Sequence, residues 1–557
     1  MKKITWAVFI VLLSFNSIKA QDDPLAPVTG TVAVTNVTII PQPGKIIENG
    51  TVLVRDGIIE AVGKNVSVPA GARVVKADSL YLYPGFILGL SHSGIKMPEK
   101  KDTPKVKDPG NPPNDFAGIT PERKVYQFFD AKDNSIESWR DVGFTIAQTA
   151  PKGGMLPGTA SVILLKENNK NGSVLKSGTG LLATFDGAQR MYPATILGVM
   201  AEYRQLFRRA EQAQEYSASY DKDPSGRQRP VHDVVLEAFY PVIEEKIPVL
   251  FKAEDILEAQ RAMLLKKDLD FELVLTELKE GWDLMDDIKS SGAAVQFSLD
   301  LPEWKETKKD SAATKEASEE KKMLESRREN FMKKYYGQMG QFAAAGIPFA
   351  FSGLEVKPGD VQKNLQKMVE QGLSEDAALA ALTTTPASML GLERTAGTVE
   401  TGKMANLIIS NKPYFSKDAK IKYIMVEGVL FEKDLKAAKK ADASTIELVA
   451  GEWTYESTTP GGPMTGTLIL KKEDNGELSG TISNTLTSEE SVLNDLLVTK
   501  DRITFNFNVV FQGQALTVEA SLTVKGDSFE GSLNGGGESF PIEGFKVPQL
   551  RSKSKTL

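Results

Sequence analysis

The side chains able to do chemistry are sparse in this sequence. Histidine occurs twice in 557 residues, at His92 and His232, and cysteine does not occur. Disulfides and thiolate metal sites are thereby excluded. A hydrolytic zinc site draws on several imidazoles, so two distant histidines would need heavy carboxylate support. The acids that could supply it are Asp115, Glu277, Asp300 and Glu355. Lys252 follows the apolar run Pro248-Val249-Leu250-Phe251. A protonated lysine offers donors and no acceptor, so it repels a divalent ion. If burial tuned it toward neutral pKa, it could act as a base beside a carboxylate such as Glu355. His232 opens a helical pattern at 230–245, where a histidine is ordinarily a surface or packing residue.

The elements that must hold these side chains follow from periodicity. Between 28 and 75 the chain reads as short strands, with turn signals at Asn49-Gly50 and Asp56-Gly57. From Pro84 to Arg394 apolar strand-like runs alternate with helical patterns, which predicts βα units and a parallel sheet. Those runs lie at 86–88, 143–148, 153–162, 246–254, 271–277, 293–298 and 346–355, with helices over 193–214 and from Ser374 as N-cap. Residues 304–334 are dense in lysine and glutamate without an apolar stripe, predicting a solvated helix or an inserted excursion. From 446 onward, short strands separated by Asn- and Gly-rich turns predict a small antiparallel barrel or sandwich.

Composition sets bounds. Hydrophobic content of 41% with 25% charged residues is that of a globular protein. The net charge of -6 is dispersed, so nothing favours nucleic acid as a partner. Residues 1–20 read as an export signal: Lys2 and Lys3 are followed by an apolar stretch from Ile4 to Phe15, too short to span a bilayer, and a cleavage site after Ala20. With no cysteine to carry a lipid, the expected product is soluble in an exported compartment, the periplasm, with no membrane span in its mature form.

The stretch Tyr83-Pro84-Gly85-Phe86-Ile87-Leu88-Gly89-Leu90-Ser91-His92 resembles the first barrel strand of the amidohydrolase superfamily, and in particular its imidazolonepropionase-like members, in which Pro-Gly-Phe-Ile-Asp-x-His-x-His brings two metal ligands. Further resemblance lies at the Pro248 strand, at Thr383-Thr384-Thr385-Pro386-Ala387-Ser388-Met389-Leu390-Gly391-Leu392, and at Gly397 to Leu407. It implies an α/β fold: a (β/α)8 TIM-like barrel over 84–394 and a flanking composite β-sandwich from 27–83 and 395–433. A linker at 434–445 then leads to a C-terminal all-β barrel at 446–547. The opening Gly451-Glu452-Trp453 of that last module is similar to the start of lipocalin-type barrels. Its interior is expected to be packed, with a ligand cavity as the alternative.

The same resemblance implies where metal ligands should be. Leu88 stands at the acidic position of the first strand and Leu90 at its first histidine; only His92 is kept. Lys252 falls at the next histidine, Thr276 or Glu277 at another, and Gly353 or Leu354 at the aspartate that binds metal and serves as base. The expectation is therefore a pseudoenzyme with no cofactor. It would bind a small-molecule ligand at the barrel mouth or pair with an active amidohydrolase homologue; an oligomer fits either role. The alternative is a metal-dependent hydrolase of non-peptide C–N bonds, with zinc or another divalent ion on an atypical set drawn from His92, Glu277 and Glu355, and with Asp115 and Asp300 as further candidates. A third reading is metal-free acid/base catalysis by Lys252 with Glu355.

Overall fold

The computed structural model describes residues 30–547 apart from 99–105, 168–169, 303–318, 434–447 and the short segments 460–461, 474–477, 486–489, 499–501, 512–513 and 536–537. The expected signal at 1–20, the linker at 434–445 and the first part of the charged stretch 304–334 lie outside the described residues. The rest of that stretch belongs to a helix, Glu319–Ala344. Two compact units divide between residues 434 and 435. No helix among the described residues is long and apolar enough to cross a membrane.

The first unit contains two sheets. One is composite: β1 (Thr31–Gln42), β2 (Lys45–Arg55), β3 (Ile58–Gly63), β4 (Arg73–Lys76) and β5 (Tyr81–Pro84) come before the barrel. Its remaining strands, set out below as β14 to β16, come after the barrel. Asp56 and Gly57 both take positive φ, the backbone of a type I′ hairpin, and join β2 to β3 as the Asp-Gly signal predicts. Asn49-Gly50 does not turn the chain. It lies inside β2, where the pairing with β1 slips register, and the β1–β2 turn falls at Pro43-Gly44. A bulge needs the same left-handed residue as a turn, which is why the two signals look alike in sequence.

The second sheet is the barrel, made of β6 (Phe86–Ser91), β7 (Phe144–Thr149), β8 (Gly158–Leu164), β9 (Val174–Ala183), β10 (Val249–Lys252), β11 (Leu273–Leu278), β12 (Ala294–Ser298) and β13 (Phe349–Ser352). Strands pair in chain order, and the Gly353 N–H donates to Leu90 O at 2.8 Å, joining the last strand to the first. Seven strands share one direction. β8 runs antiparallel to both neighbours, contrary to the all-parallel expectation. The cause is loop length: the segments 150–157 and 165–173 are shorter than the dozen or so residues a parallel crossover needs. Gly89 is fixed by a close approach, since a Cβ there would sit 2.7 Å from Phe351 O and 2.9 Å from the Gln296 amide.

The composite sheet then resumes with β14 (Leu407–Ser410), β15 (Ile421–Val426) and β16 (Val429–Glu432), in the order β16-β15-β14-β5-β1-β2-β3, with β4 alongside β1. Val34, Ile39, Val52, Leu82, Leu407 and Met425 share its core.

The second unit is an up-and-down sheet: β17 (Gly451–Thr459), β18 (Gly462–Lys472), β19 (Leu478–Asn484), β20 (Glu490–Val492), β21 (Asn494–Val498), β22 (Arg502–Phe511), β23 (Gln514–Lys525), β24 (Ser528–Gly535) and β25 (Glu538–Lys546). The first and last strands pair, and the Ser491 hydroxyl donates to Asn508 O at 2.7 Å across the seam between β20 and β22. Buried and exposed residues alternate along β17, the period of a sheet with one wet face. Trp453, Leu468, Ile503, Leu522 and Phe529 pack the inside, and the Trp453 indole N–H donates to Val449 O at 2.9 Å.

Gly89→Ala is expected to destabilise the first unit by about 1–3 kcal/mol through overpacking. Urea unfolding followed by tryptophan fluorescence would register this as a lower midpoint. An unchanged midpoint would contradict the close approach at Gly89.

Candidate functional site

The C-terminal ends of the barrel strands carry a chain of charges of alternating sign. Glu355, three residues past β13, accepts from Lys252 at the end of β10 at 2.8 Å. Lys252 reaches Glu254 at 2.9 Å, Glu254 pairs with Lys279 just past β11 at 3.0 Å, and Lys279 pairs with Asp300 past β12 at 3.0 Å. Each of these residues sits where a buried strand emerges into solvent. Burial alone would lower the Lys252 pKa, but its hydrogen bonds to Glu355 and Glu254 outweigh it and hold the ammonium above its ordinary range. Burial likewise opposes the Lys279 charge, and Glu254 and Asp300 prevail. Burial pushes Glu254 up, and the two lysines bring it below the usual carboxylate value. Lys252 is thus a fixed cation. Acid/base catalysis by a neutral Lys252 beside Glu355 needs the opposite shift, so the pairing that brings the two together removes the base.

Beneath this rim the throat of the barrel is apolar. Leu90, Ala150, Ala160, Leu182, Leu250 and Val274 form one buried cluster, with Ala294 and Leu354 against it. Leu90 and Leu354, which stand at expected ligand positions, are therefore part of a hydrocarbon plug. Among the polar groups packed inside the barrel, the Thr276 hydroxyl donates to Gln296 Oε1 at 3.0 Å and Gln296 Nε2–H donates to Gly89 O at 3.2 Å, while buried Gln148 Oε1 has no partner among the described residues.

Glu277 is fully buried, at φ 60°, where β11 slips register against β12. Its carboxylate accepts from the Ser298 hydroxyl, from the Ser352 hydroxyl at 2.7 Å and from the Leu354 N–H at 3.2 Å. Burial raises its pKa, and these donors pull it back only in part. With its oxygens committed to three donors, Glu277 has little left to offer an ion.

His92 lines a cavity of about 110 Å³ together with Leu182, Thr184, Asp186, Lys252 and Glu355. Its Nδ1 lies 2.8 Å from Ala150 O. A carbonyl only accepts, so Nδ1 carries the hydrogen. Burial lowers the His92 pKa to about 4, with Lys152 and Lys252 adding to the effect against the Ala150 hydrogen bond and Glu355. The ring is therefore neutral near pH 7.

Of the residues singled out in sequence, His92, Lys252 and Glu355 meet around this one cavity. Glu277 lies buried beside Leu354, and Asp300 ends the ion-pair chain. Asp115 is exposed on the turn Asn114–Ala117, and neither it nor His232 lines the cavity. His232 is exposed and pairs with Glu237. The helix expected over 230–245 is two short turns, Val234–Glu237 and Tyr240–Ile243. Sequence reasoning missed Asp186, Glu254 and Lys279. Their common signal is a charge one to three residues beyond the end of a barrel strand. Among the described residues no three His, Cys, Asp or Glu side chains converge to hold a metal ion.

The fold can be placed among known proteins. A sequence model of the amidohydrolase family matches residues 356–431. An amidohydrolase from Thermotoga maritima has a similar structure, with TM-score 0.59 at 21% identity over 72% of this chain and 100% of that one. The chain shares the amidohydrolase fold, and residues 356–431 resemble the family in sequence. Other solved structures align less closely. They include a prolidase complexed with N-methylphosphonate-L-proline (TM-score 0.42, 14% identity, 72% of this chain and 100% of that one) and phenylurea hydrolase B (TM-score 0.39, 16% identity, 72% and 96%). No functionally curated protein matches the sequence.

The depressed His92 pKa has a sign that can be measured. Between the ordinary value of 6.5 and about 4, the unfolded chain holds the proton and the folded chain does not. Stability contributed by neutral His92 is present above pH 6.5 and is lost as pH falls through this window, by roughly 3 kcal/mol in full. Denaturant midpoints at pH 7 and pH 5 should show a smaller drop in His92→Gln than in the parent. Equal drops would contradict the burial of a neutral ring.

Proposed function

We propose that this protein is an exported member of the amidohydrolase superfamily that has lost metal-dependent hydrolysis and binds a small molecule at the barrel mouth. The observation that carries the reading is the leucine-rich plug beneath a rim of paired lysines. A metal that acidifies water needs several lone-pair donors aimed at one point. Here Leu90 and Leu354 present carbon, Lys252 presents a protonated nitrogen, and the Glu277 oxygens already accept three hydrogen bonds. The residues present do not fit the ion that the superfamily resemblance implies.

Binding rather than hydrolysis is supported by what remains. The cavity at the mouth keeps a neutral imidazole and two carboxylates around a small volume. Export is supported by the basic, apolar and small-residue order of 1–20, and the mature chain would begin at Gln21.

Protein purified from the exported fraction and dialysed against buffer without chelator is expected to contain only substoichiometric zinc, iron or manganese by elemental analysis. It should also hydrolyse neither amides nor cyclic amides when zinc is added. One divalent ion per chain surviving dialysis, or turnover abolished by a chelator, would overturn the loss of hydrolysis.

A further inference from the structure

The mouth cavity can be assigned a ligand chemistry, and this assignment rests on the reading of the mouth as a binding site. Its polar lining is almost all acceptor. The Nδ1–H of His92 is spent on Ala150 O, so Nε2, the other polar atom of a neutral ring, can only accept. Asp186 lines the cavity, and its carboxylate makes no ion pair among the described residues. Glu355 engages Lys252 through Oε1, and Oε2 remains to accept. The Thr184 hydroxyl already donates to Gly154 O at 3.2 Å and accepts from the Asp186 N–H at 2.9 Å.

Charge points the same way. Lys252 is the one cation in the lining, and its ammonium is shared between Glu355 at 2.8 Å and Glu254 at 2.9 Å. Lys152 stands close enough to act on His92. Counting Asp186, Glu355 and Glu254 against Lys252 and Lys152 leaves one net negative charge. An anionic head group would meet carboxylates and a lone pair, and the one cation of the lining, Lys252, is already shared between two carboxylates, with Lys152 outside the lining. A group rich in N–H donors and positively charged would satisfy all three open acceptors. The size is informative as well: about 110 Å³ is less than the roughly 150 Å³ known to enclose a benzene ring, so only a head group of a few heavy atoms enters.

We propose that the cavity takes the protonated primary-amine head of a small organic ligand, donating to His92 Nε2, Asp186 and Glu355. Such an ammonium group needs no metal, and it replaces the water that these acceptors would otherwise hold.

The two histidines make the test direct. In full-length protein carrying ¹⁵N-labelled histidine, two imidazoles resolve, and exposed His232 serves as the internal control. Ethylammonium chloride is expected to shift His92 Nε2 in a saturable way and leave His232 unmoved, while sodium acetate at matched ionic strength shifts neither. Asp186→Asn, a surface change away from the packed throat, should weaken ethylammonium binding by roughly tenfold, the loss of one charge-assisted hydrogen bond. An acetate-dependent shift at His92, no saturable response to ethylammonium, or unchanged affinity in Asp186→Asn would each overturn the assignment. Elemental analysis of the same samples separates the two readings. A metal-free chain that ignores ethylammonium refutes only the amine assignment, whereas a metal-loaded chain refutes the loss of hydrolysis whatever the amine does.

Discussion

The burial of hydrocarbon in the throat of the barrel sets the terms for everything above it. Leu90, Leu182, Leu250 and Val274 are almost completely withdrawn from water, and each buried side chain of this size contributes about 1.5–3 kcal/mol. A barrel that holds a metal in the same place must instead bring polar ligands into a poorly solvated interior and compensate each one. Filling the throat with carbon removes that demand. It also lowers the polarisability of the medium just beneath the rim, where a lone lysine or glutamate would be driven toward its neutral form. The rim remains ionised because its charges alternate. Lys252 and Lys279 each sit between two carboxylates, and those partners overcome the burial that opposes both ammonium groups.

Glu277 shows the same constraint from the other side. It is the one carboxylate carried below the rim, and no cation touches it among the described residues. Hydroxyls from β12 and β13 and one backbone N–H supply what a counter-ion would otherwise supply. The left-handed backbone at Glu277 and the slip in register beside it aim the side chain across to those donors. Positive φ at a residue with a Cβ is strained. Here it is held by a hydrogen-bond set that includes the Glu277 N–H donating to Ser352 Oγ at 3.0 Å. The carboxylate therefore works as a cross-brace between three neighbouring strands.

Much of this was legible in sequence because it rests on local chemistry. The Asp56-Gly57 hairpin is dictated by two left-handed residues, and the Ser374 cap accepts from the Ala377 N–H at 3.2 Å as its position predicts. The buried strands announce themselves as unbroken apolar runs. Three features were not legible, each for a physical reason. The reversal of β8 depends on the lengths of two loops, and an apolar run looks the same in either direction. Asn49-Gly50 carries turn chemistry but is used as a bulge, since both need the same backbone. The direction of the Lys252 shift could not be read from its own surroundings in the chain alone. Glu254 is only two residues away, but Glu355 arrives from a strand over a hundred residues later, and the two together reverse the effect of burial.

The plug and the rim also bear on whether ion binding could return by a single change. Coulomb repulsion between an ammonium and a divalent ion 4 Å apart, at an effective dielectric constant near 20, is about 8 kcal/mol. A histidine in place of Leu90 would add one lone pair to the throat but leave Lys252 in place with its charge held by Glu355 and Glu254. Replacing Lys252 alone would leave Glu355 without its cation and Glu254 with Lys279 only, above a throat that still offers only carbon. The new polar residue would meanwhile be buried among leucines with no ion to satisfy it. Each intermediate thus carries an uncompensated group, and only simultaneous exchange of plug and rim avoids it. The two layers stabilise one another as a unit, and a mouth built this way favours ligands that engage its acceptors as they stand.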